Sequence, residues 1–147
     1  MKRAKNLLTT NEQLLLTADK LVKKIVQRLA RRRPSYTDYV CVASNDRYNG
    51  QLLLTKDGRW RVVNPMTIKK NYLLRREPSP ATLLDKFGML TDEDMERYVG
   101  DQSLYDEDET YRRRRAEYVE RNYRNLLERF VEALRITLDD VSANSRK

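Results

Sequence analysis

The sequence predicts an α+β fold, a three-stranded antiparallel meander packed by an N-terminal amphipathic helix and a long C-terminal helix. Three observations predict it. Apolar residues recur at helical spacing from Thr10 to Arg33. Two tight-turn dipeptides, Asn49-Gly50 and Asp57-Gly58, separate three short runs rich in β-formers. A second helical stripe runs from Val119 to Val141. At 147 residues one domain is expected, and the chain is long enough to bury a core without staples.

The first helix opens on Thr10, with Gln13 placed to complete a capping box. Leu14, Ala18, Leu21, Val22, Ile25 and Leu29 form its apolar side, and Pro34 stops it. In the meander, Tyr39–Ala43, Leu52–Thr55 and Trp60–Val63 are the strands. Alternation puts Trp60 and Val62 on one face and Arg59, Arg61 and Val63 on the other.

Three short helices are expected next. Asn64 caps one that begins at Pro65, with Met66, Ile68, Tyr72 and Leu73 as its apolar contacts. Ser79 caps one that begins at Pro80 and ends at Gly88. Thr91 with Asp94 opens the third, which ends near Gly100. The acidic stretch 100–109 reads as a loop. The last helix, from about Tyr111 to Val141, is far longer than the average of ~11–12 residues and needs a docking surface along its length.

Charge divides the single domain into three parts. Residues 1–78 carry 18 Lys and Arg against 6 Asp and Glu, residues 79–109 carry 2 against 10, and residues 110–147 carry 10 against 6. The net +8 therefore hides a basic half beside an acidic insert. Such sorting bears on partners rather than on fold, and a polyanion is the first partner to consider.

Histidine is absent and Cys41 is the lone cysteine. An internal disulfide, a cysteine zinc site and every histidine-based catalytic constellation are thereby excluded. The expectation is a protein that is not an enzyme, with no cofactor and no metal. Asp92, Glu93, Asp94, Glu96 and the run Asp106–Glu109 are carboxylates of the kind that hold divalent ions. They match no EF-hand loop and read as a helix cap and a solvated loop. No apolar run approaches the ~20 residues of a membrane span, so no membrane partner is expected and a cytoplasmic setting is the default.

The expected nucleic-acid contacts form two groups. Lys20, Lys23, Lys24, Arg28 and the run Arg31-Arg32-Arg33 lie on the polar side of the first helix. There they suit phosphates, and binding would weaken with salt as counterions are released. Arg59, Arg61, Lys69, Lys70, Arg75 and Arg76 extend that surface from the meander and beyond. Trp60 between two arginines has the composition of a base-stacking site. As the sole tryptophan, alternating with charges on a strand, it reads first as a core residue. Arg112–Arg115 follow four acidic residues. Asp108 with Arg112 and Glu109 with Arg113 have the favourable i,i+4 order, so this run is expected to be neutralised in place.

The first functional expectation is thus a small basic accessory or regulatory protein that contacts nucleic acid through phosphates, without sequence readout. The rival is a protein-interaction module. In it the chain is a virion component or an inhibitor of a host protein, and its last helix docks on another protein, an acidic surface included, or on its own copy, through Val119, Tyr123, Leu127, Phe130, Leu134 and Leu138. A metal-dependent nuclease is the third class, resting only on the coexistence of carboxylates and cations.

Residues 39–72 also resemble a small β module found in many phage-encoded proteins. The matching pieces are Tyr39-Val40, Asp57-Gly58, Trp60-Arg61-Val62-Val63, Pro65, Ile68 and Asn71-Tyr72. The resemblance covers about a quarter of the chain. It implies a phage or mobile-element origin, and with it the host-cell cytoplasm, but carries over no catalytic residue.

Overall fold

The computed structural model describes residues 9–31, 39–45, 50–63, 72–74, 77–84, 90, 94 and 109–144. Helix α1 spans Thr10–Ala30. Strands β1 (Tyr39–Asn45), β2 (Gly50–Thr55), β3 (Trp60–Val63) and β4 (Tyr72–Leu73) follow, then helices α2 (Pro80–Leu84), α3 (Glu109–Arg121) and α4 (Tyr123–Asn144). The strands form one antiparallel sheet in the order β1-β2-β3-β4.

The α+β fold is as expected, with its meander, its N-terminal helix and its C-terminal helix. Several local details differ. The capping box of α1 is Thr9 with Glu12, one residue earlier than Thr10 with Gln13. The Thr9 amide donates to Glu12 Oε1 at 2.8 Å, and the Glu12 amide donates to Thr9 Oγ1 at 3.1 Å. A carboxylate is the better partner there, because its charge also suits the positive end of the helix dipole.

Asn49-Gly50 is not the centre of a two-residue turn. Asn45 pairs with Gly50, so Gly50 already belongs to β2, and Asn49 falls outside the described residues. Asp57-Gly58 does turn the chain, but with three residues between Thr55 and Arg59. The Gly58 amide donates to the Thr55 carbonyl at 3.0 Å, the Thr55 amide to the Arg59 carbonyl at 2.7 Å, and Gly58 has φ of +83°. A β-turn closed by a left-handed glycine is the usual three-residue hairpin.

Tyr72 and Leu73 do not continue a helix. They pair with Val62 and Arg61 as β4, and the Leu74 amide donates to the Trp60 carbonyl at 2.8 Å. Any helix starting at Pro65 lies outside the described residues. Ser79 caps α2 as expected, accepting from the Thr82 amide at 3.2 Å. The last helix is two helices, parted at Asn122. The Tyr118 carbonyl accepts both the backbone amide of Asn122, at 3.0 Å, and its side-chain Nδ2, at 2.9 Å. The Leu126 amide in turn donates to the Asn122 carbonyl at 2.9 Å, so the backbone ladder runs on through the parting and the side-chain bond is an addition to it.

The core lies between α1, the inner face of the sheet, and α3–α4. Ile25 and Leu29 of α1 meet Leu52, Leu54, Trp60 and Val62 of the sheet and Leu126, Leu127, Phe130 and Leu134 of α4 in one buried cluster. Trp60 packs against Phe130 with ring centroids 5.8 Å apart, tilted by 49°. A bulge at Val42 lets β1 add Val42 to this cluster, with Val40 and Ala43 against its edge.

Candidate functional site

Amphipathicity positions the cations of α1. Ala18, Ile25 and Leu29 face the core, so the 3.6-residue period turns Lys20, Lys23, Lys24, Arg28 and Arg31 outward, and all five are exposed. From Lys20 to Arg31 the stripe covers about 16 Å of helix at roughly 1.5 Å per residue. Lys23 pairs with Asp19 one turn earlier at 3.2 Å. Both side chains are largely exposed, and such pairs are weak and readily exchanged. Among the described residues no carboxylate lies within ion-pair distance of Lys20, Lys24, Arg28 or Arg31.

The second group is divided. Arg59 is partly buried and its guanidinium donates to the Leu74 carbonyl at 2.5 Å, which fastens the end of β4 rather than serving the surface. Arg61 is partly buried on the outer face of the sheet, opposite Leu53 and Leu73. Arg32, Arg33, Lys69, Lys70, Arg75 and Arg76 lie outside the described residues. Trp60 is 5% exposed and stacks on nothing but the protein's own core.

The stripe assigned to partner binding is occupied within the chain. Val119, Leu127, Phe130 and Leu134 are buried, and Tyr123 and Leu138 pack against the same cluster. Their periodicity is that of a core face, filled by α1 and the sheet. On the far side of α4 only Ile136 is a large exposed apolar residue among those described.

The acidic and arginine runs also resolve in part. Asp94 is not a solvated helix cap. It is 4% exposed, accepts the Tyr118 hydroxyl on Oδ1, and accepts Arg129 Nη1 on Oδ2 at 2.5 Å. Within the arginine run, Arg113 and Arg114 are exposed while Arg115 is buried. The pairs Asp108 with Arg112 and Glu109 with Arg113, and the carboxylates of Asp92, Glu93, Glu96 and Asp106–Asp108, lie outside the described residues. Among the described residues no three His, Cys, Asp or Glu side chains gather into a metal-binding group. No helix among them is long and apolar enough to cross a membrane.

Two features escaped the sequence reading. One is the buried carboxylate at Asp94, whose partners lie 24 and 35 residues away. The other is a shallow, largely open groove of about 890 Å³ on the outer face of the sheet, lined by Tyr39, Leu53, Lys56, Asp57, Arg61 and Val63 and by Ala30 of α1. Three consecutive leucines, Leu52-Leu53-Leu54, were its one trace in the sequence, since a strand with a single apolar face would alternate.

No family model matches the chain, and neither curated proteins nor solved structures offer a similar one.

Proposed function

We propose that the protein is a nucleic-acid-binding accessory factor, not an enzyme, that grips phosphates with the outer face of α1. The observation that carries this reading is the stripe of Lys20, Lys24, Arg28 and Arg31. These four exposed cations lie on one helix face with no carboxylate in ion-pair reach among the described residues. Like charges gathered without a local partner repel one another, and a polyanion relieves that repulsion while releasing its own counterions. The rival reading, docking through the Val119–Leu138 stripe, loses its surface because those side chains fill the core.

The contacts are to the backbone of the nucleic acid. Lysine and arginine on an exposed helix reach phosphates without reading base edges, so binding is non-specific in sequence. A cytoplasmic setting, in a phage-infected host cell if the resemblance of residues 39–72 holds, belongs to the same reading.

The test is a salt series of binding to duplex and single-stranded DNA and RNA. Wild type is compared with a variant in which Lys23, Lys24, Arg28 and Arg31 are changed to Glu. Binding at low salt that falls steeply with salt, and that the reversed-charge variant lacks while its thermal unfolding stays cooperative, is the expected result. Absence of binding at low salt, or equal binding by the variant, overturns the reading.

A further inference from the structure

Helix α1 is itself sorted by charge. Its two carboxylates, Glu12 and Asp19, are seven residues apart and so lie on one side of the helix. Both have partners there. Glu12 closes the capping box with Thr9, and Asp19 pairs with Lys23 at 3.2 Å. Arg31, the C-cap, keeps its backbone in the right-handed helical region, so it can be placed on the same wheel. Counted at about 100° per residue from Lys20, the residues Arg31, Lys24 and Arg28 fall at roughly +20°, +40° and +80°. Lys23, Glu12 and Asp19 fall at roughly −60°, −80° and −100°. The cations with no carboxylate in ion-pair reach among the described residues thus share one flank of the exposed face. Both carboxylates share the other.

A helix seated in the major groove of a duplex has phosphates on either side of it. That groove is ~12 Å wide and the helix with its side chains ~10–12 Å across, so both strands come within reach. The second strand would then run along Glu12 and Asp19, charge against like charge. We propose instead that α1 lies along one backbone strand. Lys20, Lys24, Arg28 and Arg31 meet its phosphates, and the flank of Glu12, Asp19 and Lys23 is turned away from the ligand. Over the stripe of about 16 Å one strand presents about five phosphates, at ~3.4 Å of duplex axis each, which is enough for four cations. This inference rests on the phosphate-binding reading and narrows it. The ligand is recognised as a single line of phosphates, offered alike by a duplex and by an unpaired strand, and Lys23 is not a contact although it belongs to the same helix.

The experiment is a salt series of binding to a duplex and to a single strand of the same length, with wild type, Lys24→Ala, Lys23→Ala and Asp19→Lys. Expected for wild type is the same number of neutralised phosphates on both ligands, read as log–log slopes of about −3.6 on the duplex and about −2.8 on the single strand. Lys24→Ala lowers the duplex slope in magnitude by about 0.9, whereas Lys23→Ala leaves it unchanged. Asp19→Lys adds a cation to the acidic flank, and it too leaves the slope unchanged. A duplex slope that Lys23→Ala lowers, or that Asp19→Lys raises, by about 0.9 shows phosphates on both flanks and overturns the single-strand assignment. More phosphates neutralised on the duplex than on the single strand overturn it as well. In either case the phosphate-binding reading stands. If neither ligand binds at low salt, both readings fall together.

Discussion

Arg129 Nη1 lies 2.5 Å from Asp94 Oδ2, tying α4 to a residue 35 positions earlier. The two ends of the bridge are unequally placed, with Asp94 at 5% side-chain exposure and Arg129 at 39%. A charge so deeply buried is tolerable only because it is hydrogen-bonded on both oxygens, by Tyr118 and by Arg129. It holds Asp94 against both α3 and α4.

Asp94→Ala should therefore destabilise the fold by about 1–3 kcal/mol, read as a lower urea midpoint. The cost stays below the ~3–5 kcal/mol of breaking a fully buried pair, because Arg129 can turn to water. Asp94→Asn keeps an acceptor and the shape, and should cost less. Equal stability of Asp94→Ala and wild type would show that this contact contributes nothing.

Gly58 holds φ of +83°, and a Cβ built there would meet only Val26 Cγ2, at 3.9 Å. Space is thus ordinary and the backbone conformation alone opposes a side chain. Gly58→Ala should cost roughly 1–2 kcal/mol, and Gly58→Asn less, since asparagine tolerates the left-handed region better. Thermal unfolding of the two variants side by side decides the order.

Tyr123 lines a groove beside Ala116 and Val119, and burial there raises its hydroxyl above the ordinary value of 10.0. Its folded pKa exceeds its unfolded one, so the unfolded chain loses the proton first as the pH climbs. The stabilisation is complete below the unfolded value, near 10, and declines as the pH rises through the folded one. Tyr123→Phe should flatten that alkaline decline while leaving stability at pH 7 little changed. Unfolding midpoints from pH 8 to pH 11 test this, and identical slopes for the two proteins would refute it.

On duplex DNA, log K should fall against log salt with a slope near −0.9 per phosphate neutralised. Four contacts from Lys20, Lys24, Arg28 and Arg31 correspond to a slope of about −3.6. Each single change to Ala should lower its magnitude by about one, uniformly across sequences. A slope unaffected by all four changes would place the phosphates elsewhere.

Much of the architecture was legible because it rests on periodicity. Ile25 and Leu29, Trp60 and Val62, and Leu127 and Leu134 occupy the inward positions that their spacing assigned them. The α1 cations are exposed for the same reason. What the sequence did not show depends on partners far along the chain. A two-residue strand such as Tyr72–Leu73 has no period of its own and exists only through its pairing with β3. Asp94 looks like a cap in its local context, and only the approach of Tyr118 and Arg129 makes it a buried acceptor. Asn122 interrupts a stripe of apolar residues that continues on both sides of it, so the pattern conceals the break. The groove around Leu53 was hidden because a buried leucine on the outer face is indistinguishable, letter by letter, from its two inward neighbours.

The bulge at Val42 has a further effect at the margin of the sheet. β1 is the outermost strand on its side, and a regular outermost strand is a template onto which a foreign chain can zip. Between Cys41 and Ala43 the extra residue throws the outward row of amides and carbonyls out of step. The irregularity that delivers one more valine to the interior thus also breaks the regularity of the outermost described strand.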